Sequence, residues 1–207
     1  MRRFLREHKA QVGIGTLIIF IAMILVAAVA AGVLLRTSSS LQQKATVTGE
    51  QTIKEVSTQL KVISVIGFQN VTTANQIDGL IVTASLAAGS GDIRYEDIIL
   101  NYHSEDTYIA GINYTAGVVS TPEDVADAAA PAADFMIKEL RADNDAILEV
   151  GETIEIHFWI EEDSGTDKPL EADKTFILTI QPKAGQVTTV KKTAPSSIST
   201  RYISEWG

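Results

Sequence analysis

Apolar residues change their spacing twice along this chain, and each change predicts a different element. From Gly13 to Leu35 they form an almost unbroken run, GIGTLIIFIAMILVAAVAAGVLL, and no charged residue stands between Lys9 and Arg36. A helix over that uncharged stretch would reach roughly 39 Å at about 1.5 Å per residue, enough to cross a bilayer. After Arg36 the sequence becomes polar, yet Leu41, Ala45, Ile53, Val56, Leu60 and Ile63 recur at spacings built from threes and fours. That is one narrow apolar stripe on a helix continuing from the first run. The expected helix covers residues 11–60, with an apolar part at 11–35, an amphipathic part at 36–60 and Gly49 as its weak point.

From about residue 62 the spacing shortens to two. In Thr153 to Ile160, the residues Ile154, Ile156, Phe158 and Ile160 alternate with Glu155, His157 and Trp159, which reads as a half-buried strand with His157 on its solvent face. Similar runs occur at KVISVIGF, QIDGLIVTA, YEDIILNY, TYIAGINY, DFMIKEL, KTFILTI, QVTTV and STRYI. Turn-rich pieces such as AAGSGD and EEDSGTDKP separate them, so residues 61–207 are expected to fold as a two-sheet sandwich. The segment TPEDVADAAAPAAD reads as a surface loop with a helical turn. The fold class is α+β: a long N-terminal hydrophobic helix followed by an all-β head.

Charge orients this arrangement. The leader MRRFLREHKA carries Arg2, Arg3, Arg6 and Lys9 against Glu7 alone, which favours a cytoplasmic N-terminus and an exported C-terminal part. Without the leader's four basic groups and one acid, the formal charge falls from -9 to -12. So acidic a surface argues against nucleic acid as a partner, because binding it requires Lys and Arg to replace released counterions. There is no cysteine, which excludes disulfides, thiol catalysis and thiolate metal sites. An ordinary secretory signal has its small-residue cleavage site after the apolar run, whereas here Ala10 and Gly13 flank its start. A cut there would keep the hydrophobic segment in the mature protein.

The block GIGTLIIFIAMILVAAVAAGVLL followed by LQQKA resembles the N-terminus of archaellins, the archaeal flagellins, nearly residue for residue over residues 11 to 45. ILEVGETIEIHFWI and FILTIQPKAGQVTTVKKTAPSSI are similar to strands of the same family, less distinctively. The resemblance implies an immunoglobulin-like sandwich head. It also implies a class III signal peptide cut by a membrane aspartic peptidase related to prepilin peptidases. Aligning GIG puts the cut between Ala10 and Gln11, with Lys9 as the preceding base and Gly13 as the third mature residue. His8 and Ala10 stand where the family pattern has a base and a glycine. Gly15 occupies the fifth mature position, where bacterial type IV pilins carry Glu, which favours archaellin over bacterial pilin. Further partners implied are other archaellins, a membrane platform protein and a cytoplasmic assembly ATPase.

Catalytic chemistry finds no support. His103 and His157 sit in no motif, Ile18 occupies the third glycine's place in a dinucleotide loop, and HExxH, GxSxG and phosphate-loop patterns are absent. Asp143, Asp145 and Glu149, and likewise Glu161, Asp163 and Asp167, lack the glycine turn and terminal Glu of an EF-hand and read as solvated turns. No cofactor is expected. Asn70-Val71-Thr72 and Asn113-Tyr114-Thr115 are glycosylation sequons, which the resemblance makes credible on an outward-facing head. Ala27 with Ala31, and Ala28 with Gly32, are small residues spaced four apart that let helix backbones approach closely. Trp206 and Tyr202 are expected to seal the head. The combined expectation is an extracellular structural subunit of an archaellum for swimming motility. It would be held first in the cytoplasmic membrane with its N-terminus inside, then packed by its helix into a homo-oligomeric filament. An adhesive archaeal pilin and a membrane-anchored immunoglobulin-like binding module are the alternatives.

Overall fold

An uncharged run without proline gives one long helix, α1 (Phe4–Ser57), which passes through Gly49 without interruption. The computed structural model describes residues 4–70, 75–128, 134–142, 145–162 and 166–206. The chain divides into two compact units, the first ending at Gln51 and the second beginning at Thr52.

Each of the nine alternating runs contributes one strand to the main sheet of the second unit. They are β1 (Leu60–Phe68), β2 (Gly79–Leu86), β3 (Ile98–Ser104), β4 (Tyr108–Tyr114), β5 (Asp134–Arg141), β6 (Thr153–Trp159), β7 (Thr175–Pro182), β8 (Thr188–Thr193) and β9 (Tyr202–Ile203). They do not form two separate sheets. A single nine-stranded sheet runs in the order β8-β7-β3-β4-β5-β6-β2-β1-β9. Its pairings are antiparallel except at one junction, where Asn113 opposes Asp134 and Tyr114 opposes Phe135 in a short parallel ladder between β4 and β5. That junction is the corner about which the sheet turns back on itself, so two halves face each other across one core.

The core shows why this closure is stable. Tyr102 of β3 and Phe176 of β7 stack at 5.8 Å, and Tyr102 meets Phe158 of β6 edge-on at 6.0 Å, joining the two halves through aromatic contacts. Trp206 closes on Phe176 at 5.3 Å and donates its indole N–H to the Val65 carbonyl at 2.8 Å. Tyr202 lies edge-on to Phe68 at 5.6 Å. Both C-terminal aromatics therefore help seal the head. Among the described residues the buried apolar side chains begin at Leu60 and end at Ile203, so α1 contributes none.

The polar face of β6 departs from the sequence expectation. His157 is only 1% exposed and Trp159 is also buried, because TPEDVADAAAPAAD folds partly into a helix, α2 (Pro122–Ala128), laid across that face. Val125 of α2 packs with Val119 and Met136 in a small second cluster. Gly79 makes the close approach feasible, since a Cβ there would lie 2.5 Å from Pro122 Cβ. The start of α2 is held by Asp124, whose Oδ2 accepts the Ser120 and Thr121 amides at 2.7 Å each. Those bonds hold its carboxyl below the usual carboxylate range.

Candidate assembly interface

Leu, Ile, Val, Ala and Phe at nearly every position from Ile14 to Leu35 leave α1 without a polar face. Fourteen large apolar side chains in that stretch are 48–72% exposed, and they surround the helix instead of forming a stripe. A helix apolar on all sides belongs in lipid or in the middle of a helical assembly. It is long and apolar enough to cross a membrane. The one hydroxyl within the run is satisfied, Thr16 Oγ1 donating to the Gly13 carbonyl at 2.9 Å, and just beyond it Thr37 Oγ1 donates to the Val33 carbonyl at 2.9 Å. Such bonding back into the helix removes the cost of an unpaired donor in an apolar medium.

Lys9, Ala10, Gln11 and Gly13 all fall within the helical span of α1, whose described side chains begin at Gly13. Ala27, Ala28, Ala31 and Gly32 follow one another within two turns and lie exposed. A Cβ built on Gly32 would meet no atom within 4 Å, so nothing in the subunit itself requires a glycine there. Of the lower stripe, Leu41, Ile53 and Val56 are exposed on the helix. Leu60 and Ile63 do not belong to it: both lie on β1, with Leu60 fully buried in the head.

The helix ends three residues before 60 because the head captures the backbone beyond it. Thr58 makes the last helical bond, to the Lys54 carbonyl at 3.0 Å. The Gln59 amide then donates to Ser90 Oγ at 3.0 Å, the Gln186 amide to the Thr58 carbonyl at 2.8 Å, and the Gly91 amide to Thr58 Oγ1 at 3.2 Å. Gln186 Nε2 also donates to the Val56 carbonyl at 3.1 Å. Gly185 is required by this clamp: its φ is +131°, and a Cβ there would stand 2.6 Å from the Thr58 carbonyl oxygen. Sequence periodicity carries no signal for such backbone capture, although the Gly in QPKAGQ marks the turn.

The remaining candidate residues are dispersed over the head. Asn113 lies exposed at the end of β4, and its sequon partner Thr115 donates to Asp134 Oδ2 at 2.7 Å. Asn70 is half-buried and its amide N–H donates to Asp78 Oδ2 at 2.7 Å, while Val71 and Thr72 lie outside the described residues. Asp145 caps its own turn by accepting the Ile147 amide at 2.9 Å, and Glu152 accepts the Glu149 amide at 2.8 Å. Asp143 and the side chains of Glu161, Asp163 and Asp167 lie outside the described residues.

Residues 10–192 match the family model for archaeal-type flagellin. Flagellin B3 of Halobacterium salinarum is 30% identical over 193 residues, covering 93% of this chain and 92% of its own. Flagellin A1 of Haloferax volcanii is 38% identical over 141 residues, covering 58% of this chain and 66% of its own, so the match spans just under two thirds of that relative. In fold, the chain is similar to the archaeal flagellum of Methanospirillum hungatei strain JF1, with a TM-score of 0.66, 18% identity, and coverage of 92% of this chain and 98% of that one.

Proposed function

We propose that this chain, which belongs to the archaeal-type flagellin family, is a structural subunit of an extracellular archaellum filament and not an enzyme. The observation that carries the reading is the exposure of fourteen large apolar side chains on α1. Covering them fully would stabilise the subunit by about 1.5–3 kcal/mol each, tens of kcal/mol together. A subunit with that helix belongs in lipid or among other such helices.

The basic leader favours a precursor held in the cytoplasmic membrane with its N-terminus inside. Cleavage between Ala10 and Gln11 by a membrane aspartic peptidase then removes the leader and keeps the whole apolar run from Gly13 to Leu35. Transfer from lipid to a core of identical helices gains little hydrophobic free energy, since lipid tails are as apolar as leucine. Close packing at Ala27, Ala28, Ala31 and Gly32, contacts between heads, and an assembly ATPase acting through a platform protein supply the drive. The acidic heads form the outer wall, with Asn70 and Asn113 as sites for N-linked glycans, and the filament serves swimming motility.

Mass spectrometry of sheared filaments tests both levels of this reading. The expected mature N-terminus is Gln11. A different first residue would overturn the cleavage site, and absence of this protein from the filaments would overturn the function.

A further inference from the structure

The sheet turns back far enough for its two ends to approach, but it does not close. β9 pairs with β1 only at Gly67 and Phe68, leaving the rest of that edge of β1 without a strand, and β8 is the terminal strand on the other side. The two edges touch at one end, where Gln59 and Gln186 form a parallel bridge and Thr188 Oγ1 donates to the Leu60 carbonyl at 2.6 Å. Beyond that tie they part, and a groove of about 580 Å³ lies between them. Its lining includes Val62 and Ile63 of β1, Val190, Lys191 and Lys192 of β8, and Trp206, whose bond to Val65 fixes it there.

Charge sets this groove apart within an acidic chain. Its lining carries two lysines and no carboxylate, on a chain of formal charge -9. Ion pairs among the described residues engage Lys138, Lys174 and Lys183 among others, whereas none described there joins Lys191 or Lys192 to a carboxylate. Lysines on an open edge also disfavour the addition of a further strand. The groove adjoins the foot of α1: Gln186 is bonded to the Val56 carbonyl, and both Val56 and Val187 are exposed.

We propose that the seam between β1 and β8 is a contact between heads, in which Lys191 and Lys192 receive a carboxylate-bearing turn of a second copy of this chain. The proposal rests on the filament reading. Exposed acids on loops of the head, such as Asp92 and Asp173, are of the kind required. Opposite charges across the contact fix its register and exclude like-charged faces.

The test is zero-length carbodiimide cross-linking of intact filaments, with the covalent dimer band excised and digested. A peptide joining Lys191 or Lys192 to an Asp or Glu is expected in the wild-type dimer. Lys191→Glu combined with Lys192→Glu should lower dimer yield and filament length at least tenfold, with the head's melting temperature unchanged. Should the doubly reversed head melt early, Lys191→Gln with Lys192→Gln replaces it and should reduce both readouts severalfold. Wild-type dimers lacking any link from these lysines, or well-folded variants with normal filaments, would overturn the proposal. Failure to recover wild-type filaments containing this chain would instead overturn the filament reading.

Discussion

His157 and Phe158 are neighbours on β6 and point to opposite faces, yet both are buried. Alternation correctly sent Phe158 inward, but it could not show that a second layer covers the other face. That layer is α2, whose only strongly apolar side chain described, Val125, is too sparse a signal to predict a covering helix. Burial depresses the His157 pKa, and the neighbouring Glu155 carboxylate, 3.4 Å from Nε2, opposes the shift without reversing it. Lys138 on β5 and Asp124 on α2 face the same imidazole with opposite signs. The folded head therefore favours neutral histidine. Its contribution to stability is complete above the ordinary value of about 6.5 and is lost as pH falls towards the lower folded value, because the unfolded chain takes up the proton first. Between about pH 6.5 and 5.5 the wild-type head should lose at most about 1.4 kcal/mol per pH unit through this group. His157→Gln should flatten the melting temperature over that window. An unchanged slope in the variant would show that the imidazole remains uncharged or is solvated in both states.

At the scale of elements, α1 was the most legible part of the chain, because an uncharged apolar run of this length has few other uses. Its lower boundary was less legible, since the residues that end it, Ser90, Gly185 and Gln186, are distant in sequence and act through the backbone. The nine strands were readable from alternation, but their joining into one sheet was not: the corner depends on a two-residue parallel ladder between β4 and β5. The small residues on α1 lead to a prediction that separates the helix from its environment. Since a Cβ on Gly32 meets nothing within 4 Å, Gly32→Leu should not strain the subunit, and leucine is about 1 kcal/mol better than glycine in a helix. Gly32→Leu and Ala28→Leu should therefore insert into membranes normally yet reduce filaments at least tenfold, as counted by electron microscopy of sheared material. Normal filaments from both variants would show that the small face is incidental to packing.

The whole molecule places its two kinds of apolar surface in different units. The exposed run lies in the unit that ends at Gln51, and the buried core lies in the unit that begins at Thr52. Substitutions should then separate by consequence. Phe158 is fully buried and touches Tyr102 across the two halves of the sheet, so Phe158→Ala removes a contact between halves as well as volume. Truncations of that kind cost about 3–5 kcal/mol, a large share of the roughly 5–15 kcal/mol that holds a domain together. For a head of this size each kcal/mol shifts the melting temperature by about 2–4 °C, giving an expected fall of roughly 6–20 °C. Calorimetry of the detergent-solubilised full chain should record that fall for Phe158→Ala, with recovery in the membrane fraction unchanged. Gly32→Leu should do the converse, leaving the melting temperature of the head within about 1 °C of wild type. A shift in head melting caused by the helix variant, or a loss of membrane recovery caused by the core variant, would mean that the two units stabilise one another. Independent responses would mean that the head folds on its own core and that α1 acquires its packing only from other copies.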